Sequence, residues 1–227
     1  SAAGSPTGSP DGSGEEAFVF GDFDDGTAAA ADARPGRKVV RKGSTAEVKS
    51  FGTVELSEDR TTITLGNDYP PITVQSNTLK SITVRGTDVT NFKATLTSGK
   101  QITINYDSTD SEGKCWQVTR GGIVDSFENS GEVGQHLDRL EMQARLEKAL
   151  GGRGNAATAI AAFDEADGVT MTLMPTGGVA FSKGEGANAN SFSIDPNGKY
   201  IMVISGVPSQ GEKSHTLTKL KSFFLVR

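Results

Sequence analysis

Residues Phe92-Lys93-Ala94-Thr95-Leu96-Thr97-Ser98-Gly99-Lys100-Gln101-Ile102-Thr103-Ile104-Asn105-Tyr106 decide the fold. In their second half Ile102 and Ile104 alternate with Gln101, Thr103 and Asn105, the period-two pattern of a half-buried antiparallel strand. Phe92, Ala94 and Leu96 repeat the pattern in the first half. Ser98-Gly99 between them reads as a tight hairpin turn, because glycine takes a positive φ without steric cost.

Upstream, the same Thr-for-apolar alternation recurs in Ser81-Ile82-Thr83-Val84, and further short runs place strands at residues 53–56, 61–65, 72–75, 79–85 and 115–119. Downstream the period changes. Val133, Leu137, Leu140 and Ala144 fall on one stripe of an amphipathic helix over residues 133–150, with Met142, Leu146 and Leu150 close beside it. Gly151-Gly152 stops this helix, and Arg145 and Lys148 suit the negative end of its dipole. Asn155 is placed to cap a short Ala-rich helix to about Phe163, ended by Asp167-Gly168. Strand character then returns at residues 169–174, 179–182, 191–194, 200–205 and 216–226, with turns at Pro175-Thr176-Gly177-Gly178 and Asp195-Pro196-Asn197-Gly198. The apolar end Phe223-Phe224-Leu225-Val226 is expected to tuck into a sheet.

The expected architecture is therefore mainly β: two small antiparallel β domains, sandwich or barrel-like, around one central amphipathic helix, with an extended N-terminal arm. Residues 1–43 form the arm, 44–152 a β-rich domain ending in a helix, and 153–227 a second β-rich domain with a short Ala-rich helix. The composition agrees: 28 glycines in 227 residues with only 35% hydrophobic residues fit short strands joined by many turns better than helical bundles. Residues 1–14 are mostly Ser, Gly, Pro and Ala and cannot bury enough apolar surface to offset their ordering entropy. Phe18, Phe20 and Phe23 then stand among acids as candidate docking anchors, and Arg37, Lys38, Arg41 and Lys42 form a basic cluster that completes the candidate partner-binding set.

Charge is unevenly placed. Residues 1–36 carry seven acids and Arg34, net −6, which leaves about +1 for the rest of a chain whose total is −5. A nearly neutral body has no overall reason to seek nucleic acid, which is not expected as a partner. No apolar run approaches the roughly 20 residues that cross a bilayer, and the start lacks the basic and apolar segments of a signal peptide, so no membrane role is expected. A single cysteine excludes an internal disulfide framework.

The motifs that suggest chemistry each have a plainer explanation. Cys115 and His136 would make a thiol–imidazole pair if folding joined them, yet a small buried cysteine beside Trp116 is the ordinary case. Two histidines and one cysteine far apart give no zinc spacing. Gly152-Arg153-Gly154-Asn155-Ala156-Ala157 matches G-x-G-x-x-A but follows a helix instead of the required strand. Ser98-Gly99-Lys100 has Ala94 where a P-loop needs its first glycine. Asp22-Phe23-Asp24-Asp25-Gly26 and the acidic loop at residues 107–113 lack the ligand order of a calcium loop. Asp164, Glu165 and Asp167 would serve a hydrolase only at a separation the sequence does not show. No catalytic, cofactor or metal residues are assigned, and the protein is not expected to be an enzyme.

Seven short strands followed by one amphipathic helix, up to Leu150, is similar in element order to a pleckstrin-homology-like barrel, which implies a protein- or lipid-interaction adaptor as the alternative function. The leading expectation is a structural subunit of a large assembly, specifically a virion accessory protein such as a phage capsid decoration or cement protein or a tail component. Its arm would tether it to other protein subunits in a homo-oligomer or lattice. The location would be the virion, or the cytoplasm if the chain is not viral.

Overall fold

The computed structural model describes residues 37–39 and 49–227. Phe18, Phe20, Phe23, Arg41 and Lys42 lie outside the described residues; Arg37 and Lys38 are described as backbone.

The alternation at residues 92–106 forms β6 (Asn91–Leu96) and β7 (Gln101–Tyr106), paired antiparallel with Phe92 opposite Ile104 and Ala94 opposite Ile102. Gly99, at φ 95°, makes the turn between them. This hairpin sits inside a sheet of order β1-β9-β8-β7-β6-β5, which adds β5 (Leu79–Thr83), β8 (Trp116–Arg120), β9 (Ile123–Phe127) and β1 (Arg37–Val39). A second sheet joins β2 (Val54–Leu56), β3 (Thr62–Leu65) and β4 (Ile72–Thr73). The two share one core, in which Phe51, Ile63, Ile72, Phe92, Leu96, Ile104, Trp116 and Val118 are buried together. A third sheet, β10 to β14 in sequence order, is a meander of Val169–Leu173, Val179–Lys183, Asn190–Ile194, Tyr200–Ile204 and Val207–Gly211. Its inner face, with Leu173, Val179, Phe181, Phe192 and Ile194, builds a second core. The fold is thus mainly β with antiparallel sheets on either side of a central helix, and among the described residues no sheet closes into a barrel.

That helix, α1 (Ser130–Leu150), serves both cores. Asn129 caps it, its side chain accepting from the Glu132 N–H at 2.9 Å, and Gly151 ends it in the left-handed region at φ 80°. Val133, Leu137 and Leu140 enter the first core, whereas Met142, Leu146, Ala149 and Leu150 enter the second. Two residues advance a helix by roughly 200°, so Met142 lies across the axis from Leu140 instead of beside it. The sequence expectation of one widened stripe is corrected: α1 changes its apolar face halfway along. It also passes close to β4, where a Cβ built on Gly134 would stand 1.9 Å from the Thr73 carbonyl oxygen.

Other expectations are corrected as well. α2 (Arg153–Glu165) is capped by Gly152, and Asn155 instead donates its side-chain amide to the Leu150 carbonyl at 2.8 Å. The strand expected at 216–226 is helix α3 (Lys213–Leu225), because Thr216, Leu220, Phe223 and Phe224 bury a face at spacings of four, three and one. The terminal phenylalanines are buried as expected, but from a helix, while Leu225 is exposed. Three strands were not foreseen, the first being β1, within the segment expected to be an extended arm. β9 follows the two-residue turn Gly121-Gly122 and β14 follows Ser205-Gly206, all four at positive φ as such hairpins require. No helix among the described residues is long and apolar enough to cross a membrane.

Candidate functional site

Because α1 serves two cores, a polar strip is left where it crosses between them. Asp138, Glu141 and Arg145 occupy this strip, and none of the three is exposed. Glu141 and Arg145 are buried and joined, Arg145 Nε donating to Glu141 Oε1 at 2.9 Å. The guanidinium also donates through Nη1 to the carbonyls of Met174 (2.7 Å) and Gly178 (2.8 Å) and through Nη2 to that of Asn77 (2.9 Å). Glu141 Oε2 accepts the Ser98 N–H at 3.1 Å. One side chain therefore binds the β4–β5 loop to the β10–β11 turn, and its partner holds the β6–β7 turn. Arg145, expected from the sequence to serve the helix dipole, is instead a buried clamp between the two β units.

The loop after β4 completes the junction. Gln75 donates its side-chain amide to Met171 O at 2.9 Å and accepts from the Leu173 N–H at 3.2 Å, while Asn77 donates to Leu173 O at 3.2 Å. These amides stand in for a neighbouring strand along the free edge of β10. Asp138 Oδ1 accepts from the Gln75 N–H (2.9 Å) and the Thr78 hydroxyl (2.8 Å). Burial raises the Asp138 pKa above the ordinary 3.8, against the lowering effect of those two hydrogen bonds.

Beside this junction runs a groove of about 860 Å³, walled by the end of β9 and the first half of α1 on one side and by α2 and β10 on the other. Its apolar surface comes from Phe127, Met142, Phe163 and Met171; its rim carries Glu128, Glu132 and Gln135, all exposed. Glu132 Oε2 accepts the Glu128 N–H at 2.9 Å, and Arg139 forms a two-pronged pair with Asp164 across the groove, one prong at 2.6 Å. His136 is buried there, with Nε2 3.1 Å from Asp125 Oδ2 and its ring 4.8 Å from that of Phe127. Ser126 also lines the groove. The lining carries both signs, with Lys114 and Arg139 beside Glu128, Glu132 and Asp138.

The other sequence candidates are dispersed. Cys115 is half-buried just ahead of β8, where its thiol bonds the Tyr106 hydroxyl and raises that group's pKa; Tyr69 is raised first by burial and then by Cys115. His136 is engaged elsewhere, so the thiol–imidazole pair is not formed. Asp164 pairs with Arg139, while Glu165 and Asp167 are exposed without joining it. Among the described residues no group of three or more His, Cys, Asp or Glu side chains is placed to hold a metal. Arg37 and Lys38 fall on β1, opposite Asp125 and Val124.

A second region was not foreseen from the sequence. On the outer face of the β10–β14 sheet, registered pairing lines up Thr170, Ser182, Ser191, Val203 and Pro208 in one row and Thr172, Ala180, Ser193, Ile201 and Gln210 in the next. None of these ten is charged. Ile201 is 51% exposed, and Val207 at the end of the sheet is 68% exposed. The signal was in the strands themselves, whose polar positions are Ser and Thr where a solvated face usually carries Lys and Glu. Compared with known proteins, the chain matches no family model, no curated protein and no solved structure.

Proposed function

We propose that the protein is a structural subunit of a larger assembly, in the form of a virion accessory protein such as a capsid decoration or tail component, whose N-terminal arm adds contacts to neighbouring subunits. The observation that carries this reading is the uncharged outer face of the β10–β14 sheet, on which Ile201 is exposed. A face without charges loses little on desolvation and suits sheet-on-sheet contact. Pro208 supports contact by the face over contact by the edge. It sits at the β14 position whose backbone points away from β13, where it removes the N–H that a further strand would need. The clamp through Arg145 supports the same reading, because a subunit that transmits load between neighbours needs its two β units fixed to each other.

Sedimentation velocity of the full chain over rising concentration tests the proposal. Self-association that is weakened by I201K, and separately by removal of residues 1–36, is the expected result. A chain that stays monomeric throughout, or associates equally well with both changes, refutes it. The adaptor reading keeps one supporting observation, the run of strands β2 to β9 followed by α1; saturable binding to phosphoinositide vesicles by a monomer would favour it.

A further inference from the structure

At one end of the β10–β14 sheet a cavity of about 570 Å³ is bounded by the β10–β11 turn, the β12–β13 turn and the last residues of β14. The turns that wall it are fixed by their own hydrogen bonds. The Met174 N–H donates to Gly178 O at 2.9 Å, and Asp195 Oδ1 accepts the N–H groups of Asn197 and Lys199 at 2.9 and 3.0 Å. The turns also touch each other, since a Cβ on Gly177 would stand 3.3 Å from Pro196 Cγ. Arg145 holds the first of them through the Met174 and Gly178 carbonyls, so the walls are set before any ligand arrives. The most buried polar side chain of the lining is Tyr200, 6% exposed, its ring stacked on that of Phe192 at 5.1 Å. Its register partner is Gly211, where a Cβ would lie 2.6 Å from the Tyr200 hydroxyl oxygen, so that a side chain there would displace the ring. Among the described residues that hydroxyl has no hydrogen-bond partner. A phenol held this far from water with nothing to bond is unfavourable for the empty protein and favourable for a ligand that bonds it.

We propose that this cavity binds a neutral, polyhydroxylated ligand of the sugar class. The side chains of Thr176 and Gln210 also line it without a partner among the described residues, and Ser193 makes only a 3.4 Å bond to the Ile201 carbonyl. With Tyr200 these groups offer donors and acceptors together, which matches hydroxyls that both donate and accept. Ile201, 51% exposed, presents an apolar patch to the C–H face of a sugar ring. The three charged residues of the lining do not select an ion. Lys199 pairs with Glu212 at 3.6 Å and Asp195 holds its own turn, so an anion would meet two carboxylates and a cation would meet the Lys199 ammonium. The volume falls within the range of about 300–1,000 Å³ of small-ligand sites. This inference does not rest on the assembly reading: Tyr200 lies in the inner row of the sheet, and a monomer would bind equally.

The test follows backbone amide signals of the isotope-labelled full chain by NMR during titration with the methyl glycosides of glucose, galactose, mannose and N-acetylglucosamine. Acetate and methylammonium serve as charged comparisons. The expected result is a saturable shift of the Thr176, Lys199 and Gly211 signals with at least one glycoside and none with either ion. Y200F keeps the ring on Phe192 and should weaken binding of that glycoside by about threefold to tenfold. It should not lower the urea midpoint, because the hydroxyl has no partner in the fold. Glycosides that all leave these signals unmoved overturn the proposal, as does an ion that binds the cavity as well as the best glycoside. Unchanged glycoside binding by Y200F overturns it too, and so does a lower midpoint, which would show the hydroxyl already bonded within the protein.

Discussion

Replacing Arg145 by Met isolates the energy of the buried clamp. The substitution deletes four hydrogen bonds, but the groups left behind are not equal. Met174 O still accepts the Gly177 N–H at 3.0 Å, Gly178 O the Met174 N–H at 2.9 Å, and Asn77 O the Thr97 hydroxyl at 2.6 Å. The orphan is Glu141, a carboxylate whose side chain is 1% exposed and which keeps only the Ser98 N–H. Stranding one member of a buried pair costs about 3–5 kcal/mol. At about 2–4 °C per kcal/mol for a chain of this size, Tm should fall by about 10 °C. Replacing Glu141 by Met as well removes the stranded charge, and the exposed Ser98 N–H returns to water, so E141M/R145M should come within about 1 kcal/mol of wild type. Urea unfolding is read by fluorescence of Trp116, in the first core, and by far-UV circular dichroism, which weights both units. Coincident wild-type curves that separate in R145M, with recovery in the double variant, are expected. If R145M costs under about 1 kcal/mol, or the two substitutions simply add, the charge is not held as described.

Three further outcomes follow from positions on the same helices. G134A should destabilise by about 1–3 kcal/mol or more, because its Cβ meets the Thr73 carbonyl and α1 must move off β4; G154A, with open space around it in α2, should instead gain about 0.4–1 kcal/mol, both read as urea midpoints. Asp138 makes stability pH-dependent. Its folded pKa is raised above 3.8, so the unfolded chain ionises first, and its contribution falls as pH rises from 3.8 through the folded value and is level beyond it. The stability of wild type relative to D138N should decline over that window, and a flat difference would contradict it. D138A should cost about 1–3 kcal/mol below pH 3.8, because the Gln75 N–H and the buried Thr78 hydroxyl lose their acceptor, and less above that window.

How much of this was legible depended on whether a residue's neighbours lay near it in the chain. Alternation located the strands of both cores, and Asp195-Pro196-Asn197-Gly198 marked its turn, since these signals are local. The helix α3 was lost because Thr216-Leu217-Thr218-Lys219 alternates like a strand, and only packing of Leu220 and Phe224 against the meander selects the helical face. β14 lacks alternation altogether; it is held by the hairpin at Ser205-Gly206, a weak signal without its partner strand. The clamp was the least legible feature. Glu141 and Arg145 stand four apart, as surface pairs on helices commonly do, and nothing nearby announces that three distant carbonyls and the Ser98 N–H will close around them. The groove was hidden for the same reason, as its walls come from residues 126–139, beside the first core, and from Met142, Phe163 and Met171 of the second.

That division of the walls couples the groove to the clamp. One wall moves with the first core and the other with the second, so the groove's width is set by whatever fixes α1 to both. Gly134 fixes it to β4 by close approach, Arg145 fixes it to the β10–β11 turn, and Gln75 bridges directly to β10. R145M should therefore loosen the groove as well as the fold. In methyl NMR spectra it should perturb the Met171 signal, from the far wall, more than that of Met142, which travels with α1. I201K lies on the opposite face of the meander and should leave both unchanged. If R145M destabilised the protein while both methyl signals stayed as in wild type, the clamp would be a source of stability alone, and the groove would owe its shape to Gln75 and the close packing at Gly134.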